Sequence, residues 1–331
     1  MADRPAILVT GGAGYIGSHC CRALDAAGFR PVCYDNFSTG HRSFVNGPVV
    51  TGDIADKAAL ARAFAEHAIV AVMHFAAASR VGESMVDPQK YYLNNLAGTL
   101  ALLDVMHASG CNRLVFSSSG AVYGNADSKA LPEDYPCAPI NPYGASKWMI
   151  ERVLADYRGA YGLGSFALRY FNASGADPSG DIGEMREVET RLIPRAMMAL
   201  QGHVPDFAVF GDDYPTPDGT AIRDYIHVAD LAAAHVLALK LLLQGHSGRA
   251  LNLGSGKGFS VREILAAIAA ETGREVPHVV KPRRAGDPTY LVADTSAARA
   301  TLNFHTAYSD LPTIIRTAWA WHKKAHPLKT G

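Results

Sequence analysis

Val9–His19 reads "VTGGAGYIGSH": Gly11, Gly14 and Gly17 fall three apart, directly after a short apolar run and at the start of a helical pattern. Glycine at these places permits a tight turn, lets backbone N–H groups approach a pyrophosphate and packs a helix closely on a strand. The helix N-terminus adds favourable partial positive charge. A glycine triplet alone is a weak signal. Asp35 strengthens it, because it ends the second apolar run eighteen residues after Gly17, near the spacing of a carboxylate that takes the adenosine ribose 2′-hydroxyl. An acid there repels a 2′-phosphate, so the loop predicts NAD rather than NADP. The competing reading of Asp35 is a strand-end turn residue.

Outward from this loop, short runs rich in Val, Ile and Leu ("AILVT", "PVCYD", "PVVTGDI", "VAVMHFA", "RLVFSSS", "SFALRYF") alternate with amphipathic segments such as Gln89–Ser109 and Tyr143–Tyr161. The alternation predicts an α/β fold, a doubly wound parallel (Rossmann) sheet with helices on both faces. After Asn172 the texture changes to "ASGADPSGDIGE" and "FGDDYPTPDGTAIRD", rich in Gly, Pro and Asp, which predicts a smaller, loop-heavy α/β substrate lobe. "LNLGSGKG" predicts a further strand and turn, and Ser260–Thr272 and Asp310–Lys324 predict two late helices. The expected division is residues 1–171 plus about 223–254 for the NAD-binding domain and about 172–222 plus 255–331 for the smaller lobe, with substrate in the cleft between them.

With 331 residues, 48% of them apolar, the chain can bury a large core. Lys and Arg balance Asp and Glu at 31 each and no long basic run occurs, so the sequence carries no electrostatic footprint for nucleic acid or an anionic membrane. The opening "MADRPAILVT" has no leader-like apolar region, and the greasiest stretch, "LAAAHVLALKLLL", is broken by His235 and Lys240 and reads as a packed helix. Five cysteines without a C-x-x-C pair argue against a disulfide framework or a zinc knuckle, so no metal is expected. Cys20 and Cys21 read as buried small hydrophobes. A soluble cytoplasmic enzyme is the expectation.

Two further places carry chemistry. In "NPYGASKWMIERVL", Tyr143 and Lys147 are four apart after Pro142 at a helix start, so both project from one face. Free tyrosine ionises only near pH ~10, and a nearby cation favours its phenolate, which makes the pair a candidate base and its activator. "FSSSGAVYG", from Phe116 to Gly124, places three serines at a strand end without a carboxylate or histidine beside them. Asp53 and Ile54 end the third strand and read either as adenine contacts or, for the aspartate, as the N-cap of the next helix. "HFAAAS", from His74 to Ser79, leaves the fourth strand through small residues against which a cofactor can lie.

The order "TGGAGYIGSH", "SSSGAVYG", "NPYGASK", "RYFNASGA" resembles the extended short-chain dehydrogenase/reductase superfamily, and "DYPTPDGTAIRDYIHVADLA" resembles the UDP-glucose (UDP-galactose) 4-epimerase family along essentially the whole chain. The resemblance implies Ser119 as the catalytic serine, Tyr143 as the base and Lys147 as the lysine that holds the nicotinamide ribose and eases ionisation of the tyrosine. It implies cofactor contacts at Gly11, Gly14, Tyr15, Ile16, Gly17, Asp35, Asn36, Asp53, Ile54, Phe75, Ala76, Ala77, Asn94, Ser117, Tyr143, Lys147 and Tyr170. For a UDP-hexose it implies Ser119, Tyr143, Asn172 and Arg223 at the sugar and diphosphate, Arg284 and Asp287 at phosphate and ribose, and Phe207, Ala208 and Phe210 in "FAVFG" along the uridine. The same resemblance implies a homodimer joined through the Gln89–Ser109 and Tyr143–Tyr161 helices. Other readings remain open: Arg223 as a structural ion pair with Asp224 or another acid, and Asn94 or Asn95 as a buried packing amide.

Three departures from the family pattern stand out. Ser79 replaces a residue that is often basic. Arg191, next to the expected substrate contact Leu192, replaces Asn or His; it either adds a phosphate contact or faces solvent. Leu291 occupies the position that gates the sugar 2-substituent, where an apolar side chain offers an acetamido group no partner, so UDP-glucose and UDP-galactose are expected over N-acetylated sugars. A 4,6-dehydratase or decarboxylase on the same scaffold needs an acid just after the strand-end serine, where this chain has Gly120 and Ala121. UDP-pentose or UDP-uronate epimerases are nearer rivals, and an NAD-sensing regulator could dispense with Ser119, Tyr143 or Lys147, all of which are present.

Overall fold

The computed structural model describes residues 4–284 and 286–327. Met1–Asp3 and Leu328–Gly331, at the two ends of the expected division, lie outside the described residues. β1 (Ala6–Thr10) is buried at every position, as a strand covered on both faces must be. The glycine loop leads to α1 (Tyr15–Ala26), β2 (Arg30–Asp35), β3 (Val49–Thr51), α2 (Lys57–His67) and β4 (Ile69–His74). Then come α3 (Val81–Val86), α4 (Pro88–Tyr91), a π-helical turn at Tyr92–Ala97, α5 (Gly98–Ala108) and β5 (Arg113–Ser119). A 3-10 turn at Gly120–Tyr123 and β6 (Ser128–Leu131) precede the long α6 (Pro142–Tyr161) and β7 (Gly164–Tyr170). β8 (Asn172–Ser174), α7 (Leu192–Leu200), β9 (Ala208–Phe210), β10 (Ile222–His227), α8 (Val228–Leu243) and β11 (Arg249–Leu253) follow. The described chain closes with β12 (Gly258–Ser260), α9 (Val261–Thr272), β13 (Val279–Lys281), β14 (Tyr290–Ala293), α10 (Ser296–Leu302) and α11 (Leu311–Ala325).

Seven parallel strands in the order β3-β2-β1-β4-β5-β7-β11 make the central sheet. Alternate residues of β1 feed opposite cores: Ile7 and Val9 join α1 and α8 through Leu24, Leu231 and Leu239, while Ala6 and Leu8 join α2, α5 and α6 through Leu60, Leu102 and Ile150. This is the doubly wound sheet expected from the alternation of apolar runs and helices. Strand order reverses direction at β1 and β4, which opens a crevice at their carboxyl ends.

A second sheet runs β12-β10-β14-β6, with β8 paired to β10. The chain passes from one sheet to the other at Phe171: Tyr170 still pairs with Ser119 in the central sheet, and Asn172 already pairs with Tyr225 in the second. Of the returning segment 223–254, β10 therefore belongs to the smaller sheet, α8 packs on α1, and β11 forms the edge of the central sheet. β9 and β13 make a separate parallel pair.

Local chemistry explains the helix boundaries. Asp56 caps α2 by accepting from Ala59 N, so the capping role open to Asp53 falls to Asp56. Asn141 caps α6 with Pro142 in its first turn, and Gly162 in the left-handed region ends it. Ser260 and Glu263 form a capping box on α9. The helix expected over Gln89–Ser109 is interrupted, because the π turn inserts an extra residue where Asn94 and Asn95 approach the loop after β4. β9 falls on "FAVFG", the strand that the resemblance placed along the uridine, whereas β6, α7 and β13 had no counterpart among the patterns read from the sequence.

Candidate active site

Gly11 has φ +69°, and a Cβ there would lie 2.6 Å from Ala76 N; one on Gly17 would lie 2.1 Å from Gly11 O. Only glycine fits either place. Helix α1 has no side-chain cap at Gly14, so its first-turn N–H groups remain available to an anion at the crevice. Asp35, 8% exposed, accepts Ala13 N at 3.0 Å through Oδ2 and Phe37 N at 2.8 Å through Oδ1. It thus closes the loop as a turn residue, while each oxygen keeps a further acceptor site for a ribose hydroxyl. Asn36 donates to Asp53 Oδ2 at 2.8 Å, and Ile54 lies so close to Gly98 that a Cβ there would stand 2.7 Å from its Cγ2. The crevice floor beyond is Phe75, Ala76 and Ala77, with Phe75 tilted on His235. Glycines without room for Cβ, uncapped N–H groups and a strand-end carboxylate are the donor set and space an NAD pyrophosphate and adenosine ribose require.

The three serines at the end of β5 take three different partners. Ser117 Oγ pairs with the Tyr170 hydroxyl, Ser118 Oγ donates to Glu151 Oε1 at 2.5 Å, and Ser119 Oγ accepts Ala121 N at 3.1 Å and favours ionisation of Tyr143. Tyr143 lies in the first turn of α6, with its ring edge-on to Tyr91 at 6.4 Å. One turn later, Lys147 Nζ donates to Ser117 O at 2.8 Å and stands 5.9 Å from the Tyr143 ring centroid. Burial drives the Lys147 pKa down to about 7, against the opposing pull of Glu151. Burial also pushes the Tyr143 hydroxyl up, opposed by Ser119 and then by Arg191 and Arg186.

Glu151, missed in the sequence reading, is the centre of a buried network. Arg169 grips both its oxygens, donating from Nη2 to Oε2 at 2.6 Å and from Nε to Oε1 at 3.0 Å, and reaches the Tyr123 hydroxyl at 2.9 Å; Tyr123 donates to Asn252. Its position four residues after Lys147 was the signal that could have found it. Gly120 packs under Phe171, where a Cβ would stand 2.8 Å from the ring, so an acid after Ser119 has no space.

Across the cleft, Asn172 donates to Asp224 O at 2.8 Å and keeps its carbonyl oxygen free for a donor. Arg223 pairs with Asp287 at 2.8 Å rather than with Asp224. Asp224 is buried, accepts the N–H groups of Ser255, Gly256 and Ala293, and has its pKa raised to about 6 by burial. Arg284 lies over the Phe210 ring at 3.9 Å. Ala208 and Phe210 are half-buried, whereas Phe207 is buried in the core with Ile193 and Leu200, since alternate residues of an extended segment face opposite ways. Leu192 opens α7, half-buried on that same core. Leu291 pairs with Arg223 on β10 and packs on the cluster of Val122, Tyr123 and Leu131 behind the serine turn. Asn94 donates to Asn95, which is the buried packing amide, bonded to Ala78 and Ser146. Arg191 pairs with the buried Glu184, and Arg186 extends to Ser79 Oγ at 3.4 Å.

Residues 7–254 match the family model described as the NAD dependent epimerase/dehydratase family. A protein of Rhizobium leguminosarum bv. trifolii named UDP-glucose 4-epimerase is 51% identical over 97% of this chain and 98% of its own length. The crystal structure of UDP-glucose 4-epimerase from Brucella ovis in complex with NAD superposes with a TM-score of 0.93 at 54% identity, over 95% of this chain and 97% of that one. A UDP-glucose 4-epimerase from Stenotrophomonas maltophila, solved with bound NAD and formylated UDP-arabinopyranose, superposes with a TM-score of 0.94 at 42% identity, over 97% and 98% of the two chains.

Proposed function

The chain belongs to the NAD dependent epimerase/dehydratase family, and on that premise we propose that it interconverts UDP-glucose and UDP-galactose by inverting C4 of the sugar. The observation that carries this reading is the serine strand end: Ser119, Tyr143 and Lys147 converge there, and Phe171 fills the space in which a water-eliminating enzyme would need an acid. Bound NAD, held along Gly11–Gly17, Asp35, Asp53 and Phe75–Ala77, supplies a reversible hydride acceptor for C4. Tyr143 takes the proton of the 4-hydroxyl, with Ser119 bridging phenol and substrate, and returns it once the 4-keto sugar has presented its other face. Lys147, bonded to Ser117 O, binds the nicotinamide ribose and holds the strand end to α6.

Arg223, Arg284 and Asn172 hold the diphosphate from the smaller lobe, and Asp287 takes the ribose. Displacement of Asp287 from Arg223 is part of substrate binding, because that guanidinium is paired without it. Leu291, apolar and backed by Val122 and Leu131, closes the 2-position to an acetamido group. The chain works as two lobes, 1–171 with about 223–254, and about 172–222 with 255–331, with β6 and β10 crossing over to complete the smaller lobe's sheet. No described helix is long and apolar enough to cross a membrane, and the cytoplasm is the proposed location. The exposed Leu93, Leu100 and Met149 on the π turn, α5 and α6 are the face of a homodimer.

Purified protein should carry NAD and convert UDP-galactose to UDP-glucose without added cofactor. A 4-keto-6-deoxy product, or NAD-loaded protein that turns over neither sugar, overturns the reading. Tyr143→Phe should lower kcat by about 10²–10⁴ while the NAD content of the purified protein is unchanged; wild-type activity in that variant removes Tyr143 as the base.

A further inference from the structure

Strand β5 loses a neighbour just where its chemistry begins. Its pairing with β4 stops at Phe116, so Ser117, Ser118 and Ser119 are held by strand bonds on the β7 side alone, and Ser119 with Tyr170 is the last pair there. A serine that bridges a phenol and a sugar hydroxyl must keep its oxygen within a fraction of an ångström. Support for that strand end has to come from outside the sheet.

Glu151 supplies it from two directions. Ser118 and Arg169 are register partners across β5 and β7, and both meet the Glu151 carboxylate: Ser118 Oγ donates to Oε1 at 2.5 Å and Arg169 Nη2 to Oε2 at 2.6 Å. One helical turn earlier on α6, Lys147 Nζ donates to Ser117 O at 2.8 Å. The residues before Ser119 are thus tied to the helix that bears Tyr143 by two bonds at consecutive positions. On the far side of Ser119, Arg169 Nη1 donates to the Tyr123 hydroxyl at 2.9 Å and to Glu133 O at 3.0 Å. Tyr123 closes the 3-10 turn that Ser119 opens by accepting Ala121 N, and its ring stacks at 6.4 Å on Phe171, the ring that covers Gly120. Alternate residues of a strand face opposite ways, so Glu151 meets Ser118 on the face turned away from the Ser119 side chain.

We propose that Glu151, acting with Arg169, is a positioning residue for proton transfer: it clamps the residue before Ser119 and the turn after it, and so fixes the serine relative to the helix that carries Tyr143. This rests on the reading of Ser119 as the proton bridge. It gives the second serine of the run and the tyrosine of "GAVYG" a shared task, which is to hold the third serine still.

The test uses variants that cut one tie each and leave the ion pair whole. Ser118→Ala removes the strand tie, and Tyr123→Phe removes the turn tie while keeping the ring on Phe171. Each should lower kcat for UDP-galactose by about 10- to 10²-fold with KM and the NAD content of the purified protein unchanged. In a Ser119→Ala background neither should lower the residual kcat further, because the clamp acts through that serine. Asp56→Ala, which uncaps the remote helix α2, should lose thermal stability and keep kcat, separating loss of position from loss of stability. Wild-type kcat in folded Ser118→Ala and Tyr123→Phe overturns the proposal, as does a full further loss in the Ser119→Ala background. Should Ser118→Ala fail to fold, Tyr123→Phe decides by the same two readings. Wild-type protein that turns over no UDP-hexose sinks the functional reading and the clamp with it, whereas an active wild type with unmoved variants sinks the clamp alone.

Discussion

Glu151 is the residue whose removal should be felt most widely. It joins Ser118, Arg169 and, one helical turn back, the charge of Lys147, with the Glu151 and Arg169 side chains 6% and 5% exposed. Breaking one side of a buried pair leaves the other charge uncompensated, at a cost of about 3–5 kcal/mol. Glu151→Gln should therefore lower the unfolding free energy from urea titration by an amount in that range, and should also drive the Lys147 pKa further down, since burial would act with less opposition. A variant as stable as wild type would mean that Tyr123 and the Glu133 carbonyl, both bonded to Arg169, suffice to hold it. At this scale the sequence was most readable where partners are close in the chain: the Tyr143 and Lys147 spacing, Gly11 and Gly17. Arg186 and Ser79 are 107 residues apart, and no local pattern couples them.

Among the elements, α6 carries the most chemistry, since Tyr143, Lys147 and Glu151 all project from it. Tyr143 is in its first turn, where orientation depends on the cap: Asn141 Oδ1 accepts Gly144 N at 2.8 Å. Asn141→Ala should cost about 1 kcal/mol of stability and lower kcat more than it raises KM, because the loosened turn bears the base rather than the nucleotide contacts. Equal thermal stability and kcat in that variant would show that the first turn is held from elsewhere. The capping signals of α6 and α9 were in the sequence. The π turn at Tyr92–Ala97 was not, since its extra residue answers to packing: Asn95 must reach Ala78 and Ser146, and Gly98 must clear Ile54. The burial of Phe207 in the core likewise answers to packing. An apolar residue beside a site and one in the core beneath it look alike until the strand direction is known.

Across the whole molecule, among the described residues, burial lowers the pKa of six histidines: His19, His227 and His235 are driven down to about 4, His74 and His322 to about 3, and His326 in the same direction. In the unfolded chain each protonates near ~6.5, so below that pH the unfolded state binds more protons and stability falls as pH drops towards 4 and then 3. The urea midpoint should decline from pH 7 to 5, before most carboxylates titrate; a flat midpoint over that range would contradict it. The proposed dimer face makes a separate expectation. Leu100→Glu with Met149→Glu should halve the mass seen by sedimentation and leave NAD bound, whereas an unchanged mass would mean the exposed apolar residues there are merely surface.

The sequence by itself determined the doubly wound sheet, the glycine loop with its strand-end acid, and the tyrosine and lysine on one helical face. Each of these follows from forces that act within a turn or a strand period, so spacing along the chain is enough to reveal them. Tertiary structure alone decided that the three serines take three partners, that Arg223 pairs with Asp287, that Phe171 shuts out an acid beside Ser119, and that Arg186 reaches Ser79. Those depend on which distant segments pack together. Burial then sets the worth of each charge, and no stretch of sequence states its own burial.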